Sequence, residues 1–435
     1  MKDSVKNKRF QSVGTIILVL TFIFASVAAA SPVLADGSTN QATVTAGDNA
    51  KIKAIIKNYF TQRYEAQKGL TKPANYSSIY ASAIDKAPDQ VWLQREKDRL
   101  EILLTIAQTT HFNFTAYKFS LNYQGIKVSG NRATVKLLES NQLTYPGSSE
   151  PSLLGDLAHT VALKKNSMGK WLITKDDYLD DTLRSMAGVT KADVLKTIHN
   201  NFSAATQRSS SKDSTSVEPN SVSPYSSIPT LTSKPYSASM AKGFADAHYN
   251  KAGTVPPYVI SIVGWDSTWK TSFKLYPGVG EAGDCTNFVS QAIFYGSDYT
   301  ASDANYFAPN TAHINDWWYY DFSGSKDTQV GGSAPWIRVG ALYNFLTTNT
   351  GRGPYGVKVG NPATGGCGLV PGDVIMMKNS ANAWAHSVFV RASDPTCAYA
   401  PYAWVDAHSS NVRNAPLANY LGFTWFPVHI TSYRE

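Results

Sequence analysis

The sequence predicts an α+β chain in two parts, each with helices packed on antiparallel strands. Apolar residues recur at spacings of three and four near residue 50 and again near residue 95, which is the helical period. From residue 117 the period drops to two, the period of a strand with one covered face. Beyond residue 236, a short apolar helical run at 285–295 is followed about a hundred residues later by strand-like runs from 372, 386 and 402.

In the first part, Ile52, Ile55, Ile56, Tyr59, Phe60 and Tyr64 fall on one face of a helix over 48–67, with Asp48 as its cap. Val91, Trp92, Leu100, Leu103 and Leu104 mark a second helix over 87–109. Tyr117, Phe119, Leu121 and Tyr123 alternate with polar residues, and 126–138 reads as a hairpin turning at Ser129-Gly130-Asn131. Strands at 159–165 and 170–174 follow. His111, His159 and His199 are scattered, and Asp176-Asp177 and Asp180-Asp181 read as solvated loop charges, so this part reads as a non-catalytic accessory module over 48–200. From Ser203 the composition turns to Ser, Thr and Pro, which cannot build a core, so residues 201–235 read as a linker. The second part, 236–435, opens with a helix over 238–252, on which His248 reads as a packed or surface residue. A further helix begins at Trp336, and Gly372-Asp373-Val374-Ile375-Met376 enters a strand from a turn.

Composition narrows the function classes. Apolar residues make up 43% and charged residues 17% of 435, which is globular rather than disordered. The first 35 residues have the form of an export signal: Lys2 to Arg9 are basic, Ile16 to Phe24 are apolar, and Val33-Leu34-Ala35 offers a small-residue cleavage site. Cleavage after Ala35 is the reading preferred over an uncleaved anchor, and no other stretch approaches a membrane span. The expected product is secreted or wall-associated, without stable membrane insertion. Its formal charge of +8 falls to near +5 once that segment is gone. A mild, dispersed positive charge suits an anionic surface such as a cell wall, and without a basic stripe no nucleic-acid partner is expected. There is no HxxxH or CxxC spacing, so neither a metal nor a cofactor is expected. The sequence carries no signal for oligomeric state.

The chemistry concentrates around Gly283-Asp284-Cys285-Thr286-Asn287-Phe288-Val289-Ser290-Gln291. A loop runs into Cys285, and apolar helical residues follow at once. That puts the thiol in the first turn of a helix, where unpaired N–H groups and the helix dipole favour thiolate. A thiolate nucleophile needs a base within reach and donors for the developing oxyanion. His386 opens an alternating strand and is the expected base. His408, ending the next strand, is the expected orienting group, with Asp406 as the alternative. The backbone N–H of Cys285 is the expected oxyanion donor, aided by Asp284. Cysteine at a helix start followed by histidine on a strand is the order of a papain-like thiol hydrolase. Cys367 and Cys397 lie in loop-like surroundings and read equally as a disulfide or as two free thiols.

The nonapeptide at 283–291, with Trp336, Gly372-Asp373-Val374-Ile375, His386-Ser387-Val388 and His408-Ser409, resembles the bacterial family described as a putative amidase domain. The similarity covers about 236–435, with Ala282 where the family usually has the first of two glycines. That family is similar to papain-like cell-wall hydrolases of the NlpC and CHAP kinds, whose sites use Cys, His and a third polar residue. The resemblance implies Cys285 as nucleophile, His386 as base, His408 as orienter, and amide hydrolysis, with peptidoglycan or another peptide amide as substrate. An inactive wall-binding module and an acyltransferase using the same residues remain the alternatives. The element order of the first part resembles the cone-shaped SnoaL-like fold. The aromatic stretch at 317–320 and the surroundings of Trp384 would wall a substrate groove.

Overall fold

The computed structural model describes residues 46–70, 80, 82–209, 233–249, 284–297, 334–351, 353–359, 368–393, 403–408 and 410–434. The expected signal segment, the aromatic stretch at 317–320, Cys367 and Cys397 lie outside them. Helix α1 (Ala46–Lys68) buries Ile52, Ile56, Tyr59 and Phe60 along one stripe. Helix α2 (Gln90–Thr110) starts where the Asp89 carboxylate accepts from the Trp92 amide at 3.0 Å. Strands β1 (Ala116–Ser129) and β2 (Arg132–Thr144) form one long hairpin, and Gly130 turns it at φ 57°. β3 (Ser152–Lys165) pairs with β2, and β4 (Trp171–Asp177) with β3.

Two helices follow that the sequence reading did not assign: a short α3 (Asp181–Ser185) and α4 (Lys191–Ser209). The stretch read as linker is therefore helical to Ser209. It is extended again at β5 (Ser233–Pro235), and residues 210–232 lie outside those described. Next come α5 (Ala238–His248), α6 (Asp284–Gly296), α7 (Ala334–Ile337) and α8 (Val339–Thr348). The remaining strands are β6 (Gly353–Lys358), β7 (Val374–Lys378), β8 (Trp384–Ser393), β9 (Ala403–Ala407), β10 (Val412–Pro416) and β11 (Thr424–Arg434).

Among the described residues these strands form a single sheet in the order β1-β2-β3-β10-β9-β8-β7-β11-β5, with β4 beside β3 and β6 beside β11. The two parts of the chain meet inside it, where Val412 and Arg413 of β10 pair antiparallel with Leu154 and Leu153 of β3.

The apolar runs in β7 and β8 explain why the parts merge. On one face, Val374, Met376 and Phe389 pack with Phe288, Val289, Ile293 and Leu342 from the helices of the second part. On the other, Ile375, Met377, Val388 and Val390 pack with Ile102 and Ile106 of α2 and Val194 and Ile198 of α4. Successive residues of a strand point to opposite faces, so a strand covered on both sides reads as a continuous apolar run. The second cover comes from the first part. Asn201 reinforces the seam, its amide donating to the carbonyls of Leu421 and Phe423 at 2.9 and 2.8 Å. The first part is therefore not a separate body joined by a tether.

The turn into β7 depends on Gly372. Its φ is 100°, and a Cβ there would lie 2.6 Å from the Ala238 Cβ and 3.1 Å from the Ala238 Cα. Gly372→Ala should destabilise the protein by about 2–4 kcal/mol through backbone strain and overpacking against α5. A fall in the urea unfolding midpoint at unchanged slope is the expected result; an unchanged midpoint would mean that the turn adopts another backbone conformation and α5 yields.

Candidate active site

Cys285 is the second residue of α6 and only 3% exposed. Its position follows from Thr286, Asn287 and Ser290 of the motif, all three buried and tied to neighbouring elements. Thr286 Oγ1 accepts from Ser387 Oγ at 3.2 Å, joining the helix start to β8. Trp336 Nε1 donates to Asn287 Oδ1 at 2.8 Å, and Ser290 Oγ donates to the Trp336 carbonyl at 2.9 Å, locking α6 to α7. These side chains hold the start of α6 against β8 and α7. The backbone N–H of Cys285 belongs to the first turn of α6, whose N–H groups have no partner within the helix. The Asp284 backbone begins the helix; its side chain lies outside the described structure.

His386 is fully buried in β8, opposite Met377, at a bulge between Met377 and Lys378. Tyr420 stacks on its ring at 5.5 Å between centroids, with Phe423 at 6.2 Å. Burial opposes ionisation of the Cys285 thiol. Hydrogen bonding and charge from His386, helped by Ser387 and Thr286, outweigh it and bring the thiol down to about 7. Burial likewise opposes the charged imidazole, but the carboxylate of Asp181 and the thiol together raise the His386 pKa above its ordinary value. The thiol–imidazole contact is loose, and neither ring nitrogen closes a hydrogen bond of strict geometry. Resting catalytic pairs often tighten only with substrate bound.

The expected orienting groups stand elsewhere. Phe389 pairs with Asp406 across β8 and β9, which puts Asp406 and His408 on the face covered by α5 and α6. His386 shares the opposite parity with Val388 and Val390. His408 stacks on Phe288 at 4.2 Å and donates from Nε2 to the His248 carbonyl at 2.7 Å, so it closes the end of α5. Asp406 accepts from the Asn414 amide at 2.8 Å, and burial, with Asp246 beside it, pushes its carboxyl up to about 8. The antiparallel pairing of the two strands is as expected; the error lay in the face. Side chains at matching strand ends meet only when their parity matches.

The carboxylate that does face His386 is Asp181, on α3 of the first part, with Oδ1 3.8 Å from His386 Nε2. Ser410 Oγ donates to Asp181 Oδ1 at 2.7 Å and Tyr420 OH to Oδ2 at 2.9 Å. Asp180 beside it caps the helix, accepting from the Leu183 amide at 2.9 Å. Sequence reading grouped both with solvated acids. The Asp-Asp-Thr-Leu start of a short helix was the available signal, and it speaks to capping alone.

A second polar cluster lies inside the first part, where solvated charges were expected. His159 is buried between Asp176, 2.9 Å from Nδ1, and Glu139, 3.0 Å from Nε2. Tyr64 donates to Glu139 as well. Burial disfavours the charged imidazole, but Asp176 and Glu139 hold it up at about 9. Burial also opposes ionisation of Glu139, yet His159, Arg63 and Tyr64 bring its carboxyl down to about 2. A cavity of about 110 Å³ runs from Arg63 and Glu139 to Asp181, Ser410 and Tyr420. Trp384, expected at a groove wall, packs between Tyr343 and Phe426 at 5.3 and 5.0 Å. Among the described residues no group of three or more His, Cys, Asp or Glu could hold a metal ion, and no helix is long and apolar enough to cross a membrane.

No curated protein matches the chain. Among solved structures it is similar to a conserved protein from Planctomyces limnophilus (10% identity, 31% of this chain and 98% of that one, TM-score 0.21). It is also similar to the Kfla4162 protein from Kribbella flavida (9%, 31% and 96%, TM-score 0.21). A putative ketosteroid isomerase from Shewanella frigidimarina matches at 13% identity over 31% of this chain and 98% of that one, with TM-score 0.20. The family described as a putative amidase domain matches residues 235–430, the segment that holds Cys285, His386 and the strands around them. Over that segment, somewhat under half of its length, the chain is similar to the putative amidase domain family.

Proposed function

We propose that the protein is a secreted cysteine amidase of papain-like arrangement, acting on amide bonds of peptidoglycan. The observation that carries this reading is the buried Cys285 thiol at a helix start, lowered to about 7 by the imidazole of His386. In the proposed reaction the Cys285 thiolate attacks the amide carbonyl, and first-turn N–H groups of α6 receive the developing oxyanion. The C–N bond breaks as His386 passes its proton to the leaving amine, leaving a thioester on Cys285. Water, deprotonated by His386, then releases the acid and restores the thiol. The peptidoglycan assignment draws on the signal-like first 35 residues and the mild positive charge.

The test is the rate of iodoacetamide modification at Cys285 against pH, with the labelled cysteine identified by mass spectrometry. The parent should show an inflection near 7. In His386→Ala the inflection should move up to the ordinary thiol value of about 8.5 or beyond, because burial is then opposed only by Ser387 and Thr286. Two superimposable profiles near the ordinary value would sink the thiol mechanism.

A further inference from the structure

We propose that Asp181 is the positioning residue for His386, so that the first part of the chain completes the catalytic centre of the second. This rests on the thiol amidase reading and adds to it a residue lying outside the segment matched by the amidase family.

A buried imidazole that must carry charge needs a counter-charge on the side away from the thiolate, and a fixed ring plane. His386 is fully buried, and Asp181 is the only carboxylate within 4 Å of it among the described residues. The Asp181 carboxylate is itself aimed: the hydroxyls of Ser410 and Tyr420 donate to its two oxygens. Tyr420 also stacks on the His386 ring at an interplanar angle of 18°, so one side chain fixes both the ring and the carboxylate facing it. The groups bearing on His386 are Cys285 from α6, Asp181 and Arg184 from α3, and Tyr420 from the turn before β11. Arg184 opposes the imidazolium, but its Nε lies 3.7 Å from Asp181, which draws its charge toward the carboxylate. His408 and Asp406 lie on the other face of the sheet, where they bind the His248 carbonyl and the Asn414 backbone N–H.

The distance of 3.8 Å sets the role. It is too long for a strict hydrogen bond and well within the range at which an opposite charge favours the protonated ring. Asp181 then acts on Cys285 through His386: a more stable imidazolium makes a more stable thiolate.

The experiment compares iodoacetamide profiles of Cys285 in the parent, Asp181→Asn, Asp181→Glu and His386→Ala, with unfolding midpoints measured alongside. Asp181→Asn should move the inflection upward by about one pH unit, leaving alkylation about tenfold slower at pH values below both inflections. Asp181→Glu, which keeps the charge, should recover most of that loss. A residue that merely supports the fold would lower the midpoint without moving the inflection. If Asp181→Asn superimposes on the parent while His386→Ala does not, the role assigned to Asp181 is overturned and the thiol–imidazole pair stands. If the parent itself shows no low inflection, both fall. Should Asp181→Asn fail to fold, Tyr420→Phe removes one of the two hydroxyls that aim the carboxylate. It should give a smaller shift in the same direction, and its absence overturns the proposal.

Discussion

Replacing Cys285 with Ala is expected to reduce amide hydrolysis by at least about 10³-fold, equivalent to about 4 kcal/mol of transition-state stabilisation. The sulfur is the atom that would carry the acyl group, and no other described residue near His386 offers a comparable nucleophile. Thr286 Oγ1 is 3.8 Å from Cys285 Sγ, but it already accepts from Ser387 and has no base of its own. Stability should change little, since one buried sulfur is lost from a helix start held by Asn287, Ser290 and Trp336. The measurement is release of new amino groups from peptidoglycan fragments, with urea unfolding as the control. Equal release by parent and variant would refute the mechanism; no release by either would move the substrate away from peptidoglycan.

His159→Ala should produce the largest loss of stability, about 3–5 kcal/mol, because it leaves Glu139 and Asp176 as buried carboxylates without their shared partner. The effect carries a pH signature. The His159 pKa rises from 6.5 to about 9 on folding, so its contribution is complete below pH 6.5 and is lost as pH climbs through 9. The Glu139 pKa falls from 4.5 to about 2, so its contribution is present above pH 4.5 and is lost as pH drops through 2. Stability from this cluster is therefore greatest between pH 4.5 and 6.5. Between pH 6.5 and 9 the parent should lose about 3 kcal/mol more than His159→Ala does in urea unfolding, since the other groups titrating in that range are common to both. Parallel curves for the two proteins over this range would show that the imidazole is neutral in the folded state.

Local elements were legible from residues because their signals are local. The stripe from Ile52 to Tyr64 and the alternation from Tyr117 to Tyr123 each depend on a few neighbouring side chains, and both elements lie where expected. The Cys285 helix was legible for the same reason. Relations across the chain were hidden. The apolar runs at 374–377 and 388–390 said that those strands are covered twice, but not that α2 and α4 provide the second cover. His159 and Asp176 looked like solvated charges because each is polar when taken singly; only their pairing makes burial affordable. His408 and Asp406 were assigned by proximity of strand ends, and a one-residue difference in parity sends them to the opposite face from His386. Asp181 could not be read at all, since it starts a short helix and its partner lies 205 positions away in the numbering, on a strand of the other part of the chain.

Strand β11 bears on how the chain reaches this state. Its first half pairs with β7, while its second half lies between β6 and β5. Every one of those partners precedes it in sequence. A ribosome therefore releases β5, β6 and β7 with an unfilled slot between them, and their edges stay open until residues 424–434 emerge. Such open edges are the ones nascent chains lose to mispairing and aggregation. Emergence of that strand sets the earliest moment at which the sheet can close during synthesis.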